Sequence, residues 1–98
     1  MMNYLNLTFS PKEEIVSFPF NNETLLVPSP NNLADLDSII AVNDAGFLFW
    51  QELIKGLTPN QICDKWAKQS GIEISELQHI AVNMLSILKP ILKENSND

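Results

Sequence analysis

The side chains that most often carry chemistry are scarce in this sequence of 98 residues, which holds one cysteine, Cys63, and one histidine, His79. A metal centre needs three or four ligands and a nucleophile needs a neighbouring base, so neither residue has the partners that its chemistry requires. A lone cysteine also excludes an internal disulfide. We predict that Cys63 is a small core residue and that His79 lies on the surface of a helix.

Two further candidate sites for chemistry lie close together in the chain: the pair of acids Asp35 and Asp37, and the hydroxyl of Ser38. Asp35 and Asp37 are interpreted as solvated loop and capping residues, because nothing around them marks a cleft. Ser38, in Asp37-Ser38-Ile39, is similar to the phosphopantetheine attachment site of acyl carriers, but a carrier serine begins a helix, whereas an apolar, strand-like run follows Ser38. The chain has no phosphate-binding loop, nucleophile motif or dinucleotide fingerprint. We therefore expect no enzyme, no metal and no cofactor.

Composition narrows the class of partner. The formal charge is −6, and all six basic residues are lysines. Nucleic-acid binding requires a basic stripe and favours arginine, so we expect no nucleic acid as a direct partner. We see neither a signal peptide nor an apolar run long enough to cross a membrane, and expect a cytoplasmic protein that forms one domain.

Alternating apolar residues predict strands in the first part of the chain. Leu5, Leu7 and Phe9 indicate a short strand or an extended arm. The segments 16–20 and 24–27 predict a β-hairpin that turns at the asparagines 21–22, which tolerate positive φ. Pro19 cannot donate a ladder hydrogen bond, so its strand should lie at a sheet edge.

The stretch from Ser38 to Leu57 organises the chain. Its segment 39–42 is apolar and β-branched, which predicts a central strand buried on both faces. A helix should begin at Asn43 or Asp44, since their side chains accept hydrogen bonds from free backbone N–H groups, and Gly56 should end it. Phe47, Trp50 and Ile54 form its apolar face, with Leu53 beside them, and we predict that Phe47 and Trp50 lie in the core. Either Phe49 or Trp66 is expected to be partly exposed.

Two more helices are predicted. Thr58, Pro59 and Gln61 form a capping-box pattern for a helix that ends at Gly71 and buries Ile62, Cys63, Trp66 and Ala67. A similar signal at Ser75 begins the last helix, which Pro90 should end. That helix carries one wide apolar stripe: Leu77, Ile80, Ala81, Met84, Leu85 and Leu88.

Strands followed by helices favour an α+β fold: a three-stranded antiparallel sheet followed by three helices, an arrangement that also describes a winged helix-turn-helix. We divide the chain into an N-terminal arm with an extra strand (1–14), a main domain (15–92) and a frayed polar tail (93–98). The arm is expected to pair with a strand edge, in its own chain or in a homodimer.

Several motifs of this chain resemble the PqqD-like family, also called RiPP recognition elements. The resemblance covers residues 15–90 and rests on Leu25–Pro28, Ile40–Gly46, the aromatic helix to Gly56, Thr58–Ile62, and the spacing of Leu85 and Leu88. It implies a non-catalytic peptide chaperone that binds the leader of a ribosomally made precursor peptide and presents it to a modifying enzyme, often a radical-SAM enzyme.

In members of that family, the leader adds as a strand beside the third strand, with side chains in a groove against the third helix. Carried over to this chain, the resemblance implies a peptide-binding site made by Ser38, Ile39, Ile40, Ala41, Val42, Leu77, Ile80, Ala81, Met84 and Leu85. Small Ala81 is expected to let a peptide approach.

The chain departs from the family pattern at three places. Segment 31–37 resembles an insertion before the third strand. Ile80 stands where many members have an acid, and Pro90-Ile91-Leu92 replaces a Gly-Leu ending. Other interpretations stay open: an acyl-carrier-like protein modified on Ser38, a winged-helix regulatory or DNA-binding domain, and a subunit that only docks enzymes.

Overall fold

The computed structural model describes residues 4–28 and 39–95, which form an α+β fold. A three-stranded antiparallel sheet and a two-stranded ribbon accompany three helices. The strands and helices, in chain order, are β1 (Phe9–Pro11), β2 (Ile15–Phe20), β3 (Glu23–Pro28), β4 (Ile40–Val42), α1 (Asp44–Ile54), α2 (Pro59–Ser70), α3 (Ile74–Leu88) and β5 (Leu92–Glu94). Short 3₁₀ helices lie at Tyr4–Asn6 and Lys89–Ile91. The prediction of a three-stranded antiparallel sheet followed by three helices is confirmed.

The hairpin of β2 and β3 follows the sequence pattern closely. Asn21 and Asn22 both adopt positive φ at its turn, as two-residue hairpin turns require. The sheet order is β2–β3–β4, so β2 lies at an edge and tolerates Pro19. The register aligns Ser17, Leu26 and Ile40 in one row across the sheet, with Leu26 fully buried.

Strand β4 differs from the prediction in two respects. It is an edge strand of the sheet instead of a central one, since β3 takes the middle position. It is buried on one face only: Val42 points into the core, whereas Ala41 is exposed on the outer face in a row with Phe18 and Leu25. The apolar run 39–42 therefore reflects one buried face and one exposed apolar face, in which Phe18 remains 49% exposed.

Helix α1 begins as predicted. The Asn43 side chain accepts a hydrogen bond from the Gly46 backbone N–H at 2.8 Å. The helix buries Phe49, Trp50 and Leu53, whereas Phe47 is half-buried and Ile54 is exposed, so Phe47 is less central than predicted.

The capping box that begins α2 is also present. Gln61 N–H donates to the Thr58 hydroxyl and Thr58 N–H donates to the Gln61 side chain. Gly71 ends the helix with φ of 77°, a left-handed conformation that glycine adopts readily. Ile62 and Cys63 are buried, and Trp66 is half-buried against Phe49 with ring centroids 6.1 Å apart. Trp66 is thus the partly exposed member of that aromatic pair.

Helix α3 begins earlier than the predicted cap at Ser75. Glu73 occupies the cap position with no side-chain hydrogen bond, and its carbonyl accepts from the Glu76 and Leu77 N–H groups. Leu77, Ala81 and Leu88 enter the core on one side of the helix.

Part of the predicted polar tail, residues 93–95, is held in an ordered ribbon. Lys93 and Glu94, expected in a frayed tail, belong to β5, which pairs antiparallel with β1. Asn95 extends this ribbon: its backbone N–H donates to the Thr8 carbonyl, and its side chain bonds the Thr8 and Ser10 hydroxyls at 3.2 and 2.9 Å. The N-terminal arm therefore pairs within its own chain, and among the described residues it pairs with β5 and not with β4.

A buried acid joins α1 to α2, which the sequence patterns did not reveal. Glu52 is nearly buried and accepts from Lys65 at 2.6 Å and from Lys55 at 3.1 Å. The hydrogen bond from Lys65, followed by that from Lys55, holds the pKa of Glu52 below its usual value.

Candidate functional site

The outer edge of β4 is the first part of the candidate site. Among residues 4–28 and 39–95, β4 pairs on one side with β3, and no described strand pairs with its other side. Such an edge presents backbone N–H and C=O groups that another extended chain can satisfy.

Beside this edge, the structure forms a groove of about 240 Å³ between β4 and α3, which we call the β4 groove. It is mainly apolar, and its lining side chains come from the sheet, the start of α1 and the end of α3: Glu23, Ala41, Val42, Asn43, Gly46, Met84, Ile87 and Leu88. Glu23 is the one ionisable side chain of this lining, so the groove carries a single negative charge.

The structure brings some of the predicted peptide-binding residues together at the β4 groove. Ala41, Val42 and Met84 line it. Ile39 is exposed beside the strand, Ile40 is half-buried on the core face, and Ser38 lies outside the described residues, as does the predicted insertion 31–37.

Other predicted residues lie elsewhere. Leu77 and Ala81 are core residues, 5% and 2% exposed, so neither side chain is open to a peptide in this structure. Leu85 lines a different groove on the opposite side of α3. Ile80 is exposed on α3, four residues before Met84, and helical spacing puts the two on the same flank.

Ile87 is an exposed apolar lining residue that was not among the predicted peptide-binding residues. It follows Met84 by three residues and Ile80 by seven, and is 53% exposed. These spacings mark a second apolar stripe next to the core stripe. This spacing is visible in the sequence. The prediction nevertheless treated the solvent-facing stripe and the core-facing stripe of α3 as one apolar stripe.

Gly46 allows strand β4 and helix α1 to approach closely at one end of the groove. A Cβ atom at this position would lie 3.1 Å from the Val42 Cβ and 3.3 Å from the Asn43 Oδ1. A side chain here would require Val42 and Asn43 to shift by a few tenths of an ångström, so the limit at Gly46 is space and not backbone conformation, since the residue lies in the first turn of an ordinary helix.

Cys63 and His79, whose side chains could carry chemistry, lie on different helices, α2 and α3. The described residues contain no group of three histidine, cysteine or acidic side chains placed to hold a metal ion. Burial raises the pKa of the Cys63 thiol, and the neighbouring Asp64 charge raises it further, so the reactive thiolate is disfavoured. His79 is exposed on α3, as predicted.

No helix within residues 4–28 and 39–95 combines the length and apolar character that a membrane span requires. Comparison with known proteins adds no relative: no family model matches this chain, and neither a curated protein nor a solved structure shows significant similarity to it.

Proposed function

We propose that this protein is a PqqD-like leader-binding domain: a peptide chaperone, not a catalyst, that binds the leader of a ribosomally made precursor and presents it to a modifying enzyme. The proposal includes a winged helix-turn-helix arrangement of the sheet and helices. One observation carries it: an edge of β4 without a described partner lies directly beside an apolar groove. This is the combination that β-strand addition uses.

The two parts of the site have different tasks. Backbone hydrogen bonds to β4 supply affinity that tolerates many leader sequences, whereas the groove selects side chains. Because successive side chains of a strand point to opposite faces, every second leader residue would enter the β4 groove beside Met84 and Ile87.

The available contacts suffice for a useful affinity. A micromolar complex requires about 8 kcal/mol. Each apolar side chain that becomes fully buried contributes about 1.5–3 kcal/mol, so two or three anchors together with the backbone hydrogen bonds reach this value.

Polar groups at the rim suggest which leaders fit. Asn43 uses its Oδ1 to cap α1, which leaves its NH₂ group to donate to a leader carbonyl. Glu23 favours a lysine or arginine in the leader and disfavours an acid at the same place. We expect a leader with alternate apolar residues and a basic residue near one end.

The test is calorimetric titration with the leader peptide encoded by the nearest short open reading frame. We expect saturable binding near the micromolar range that disappears when the leader is scrambled. An Ile87→Asp variant should weaken binding more than about tenfold, because it puts a charge into the apolar groove.

Val82→Asp is the matched control, since Val82 lies on the same helix and is also 53% exposed, but outside the β4 groove. It should leave leader affinity within about twofold of wild type. Equal losses in both variants, or no binding of any neighbouring leader to the folded protein, would contradict the proposal.

A further inference from the structure

A second and larger groove lies on the opposite flank of α3, between this helix and the β1–β5 ribbon. Its volume is about 560 Å³. We call it the basic groove; its lining consists of Phe9, Lys12, Val82, Leu85, Ser86, Lys89, Leu92 and Glu94.

The floor of the basic groove is firmly held. Phe9 and Leu92 belong to the paired strands β1 and β5 and are largely buried. Beyond the ladder, Lys12 N–H donates to the Ile91 carbonyl at 2.9 Å, and Asn95 connects both strands. A partner would therefore meet a preformed apolar surface and would not have to order it, which favours binding.

Charge distinguishes this groove from the rest of the chain. The protein carries twice as many acidic as basic residues and a formal charge of −6, yet two lysines and only one acid line the groove. Within residues 4–28 and 39–95, Lys55 and Lys65 form ion pairs with Glu52, whereas neither Lys12 nor Lys89 has a carboxylate within ion-pair distance. No described acid therefore neutralises either groove lysine.

The arrangement of these charges indicates the form of the partner. Lys12 follows the ribbon strand β1 and Lys89 follows α3, so the ribbon and the helix each contribute one lysine to the lining. The groove opens to solvent, and Val82 in its lining is half exposed. An amphipathic helix with acids on both sides of its apolar stripe matches this pattern, with its apolar stripe on the floor and its outer face in water.

We propose that the basic groove docks an acidic amphipathic helix of a partner protein. This inference does not depend on leader binding, since the two grooves use different flanks of α3. If the proposed function also holds, the partner and the leader bind at the same time, as a presenting chaperone requires.

The probe is a fluorescein-labelled, amidated peptide of about 15 residues, with leucines at positions i, i+3, i+4 and i+7 and glutamates elsewhere. Two comparison peptides replace either all glutamates by lysine or all leucines by glutamine. Fluorescence anisotropy with the full chain should show saturable binding of the acidic peptide. The lysine and glutamine peptides should bind at least about tenfold more weakly.

Substitutions in the basic groove test whether the acidic peptide binds there. Lys12→Glu combined with Lys89→Glu should weaken the acidic peptide about tenfold or more, whereas Glu94→Lys should strengthen it. Lys68→Glu is the matched control, because Lys68 is an exposed lysine of α2 outside the groove. It should change affinity less than about twofold.

Four results would overturn the proposal. These are equal binding of the acidic and lysine peptides, equal effects of the groove and Lys68 substitutions, binding of dodecanoate but no peptide, and a dimer by sedimentation that Val82→Asp dissociates. The last two would assign the groove to a small amphiphile or to a second copy of the chain. Ile87→Asp should leave acidic-peptide binding unchanged, which separates this test from the leader test.

Discussion

The two grooves beside α3 share a helix but differ in size, charge and construction. The β4 groove is the smaller, at about 240 Å³ against about 560 Å³, and has one acid in its lining. The basic groove contains two lysines and one acid. The first adjoins an edge of backbone groups and suits an extended chain, whereas the second has a closed ribbon as its floor and suits side-chain contacts. One helix can thus present two surfaces of different specificity.

The largest effect should come from truncating a core residue of α3, the helix that both grooves share. Leu88 is 1% exposed in the core and also lines the β4 groove. Leu88→Ala should lower the free energy of unfolding by about 2–5 kcal/mol, measured by urea denaturation. Binding at both grooves should decrease together with the folded fraction. A stable variant that loses only leader binding would show that Leu88 acts locally.

Acid should weaken the fold through Glu52, which lies in the lining of neither groove. The folded pKa of Glu52 is lowered, so its ion pairs stabilise the fold above its unfolded pKa, and this stabilisation disappears as the pH falls through the folded pKa. Glu52→Gln should cost about 1 kcal/mol at neutral pH, a modest value because both lysines are substantially exposed. The difference from wild type should shrink in acid, as urea denaturation across the pH range would reveal. A difference that stays constant down to the acid limit would contradict this role.

Asn95→Ala should discriminate between the grooves. It removes the side-chain bonds to Thr8 and Ser10 that hold the ribbon, at a cost of about 1 kcal/mol. Acidic-peptide affinity should fall several-fold, while leader affinity stays unchanged. A parallel loss at both grooves would show that the ribbon supports the whole fold and not only the basic groove.

Gly46→Ala should weaken binding at the β4 groove and not at the basic groove, the reverse of Asn95→Ala. Its effect on stability should be the smallest of these substitutions. The new methyl group crowds Val42 and Asn43, but alanine favours the helix, so the free energy of unfolding should change by less than about 1 kcal/mol. Leader affinity should weaken several-fold because β4 shifts relative to α1, and acidic-peptide binding should not change. Titration of both peptides against one preparation measures this directly.

Local signals predicted much of the fold. The turn at Asn21–Asn22, the box of Thr58 and Gln61, and the edge position of Pro19 each depend on neighbours in sequence, and all are confirmed. Features that depend on distant partners were missed. Lys93 and Glu94 look like a solvated tail until β1 is known to lie beside them. Glu52 looks like an ordinary surface acid until Lys65 on α2 reaches it.

The sequence could not say how the predicted site residues divide between the core and the surface. The structure has a groove between β4 and α3, the strand and helix to which the resemblance pointed, but a helix has more than one apolar flank, and the sequence does not say which flank meets the core. Ala81 was therefore assigned to the groove although it is buried, and Ile87 was overlooked although it is exposed.

The β1–β5 ribbon has a consequence for how the molecule forms. In this ribbon Phe9 pairs with Glu94, a residue far away in the sequence. The β2–β3 hairpin instead pairs two strands that follow each other directly in the sequence. Closing so long a loop costs more entropy than closing the hairpin, and contacts distant in sequence form slowly. During synthesis, β1 leaves the ribosome before β5 and can pair only after β5 has emerged. The basic groove therefore forms only once β5 has been made, and a partner that requires this groove would not bind nascent chains that stop before β5.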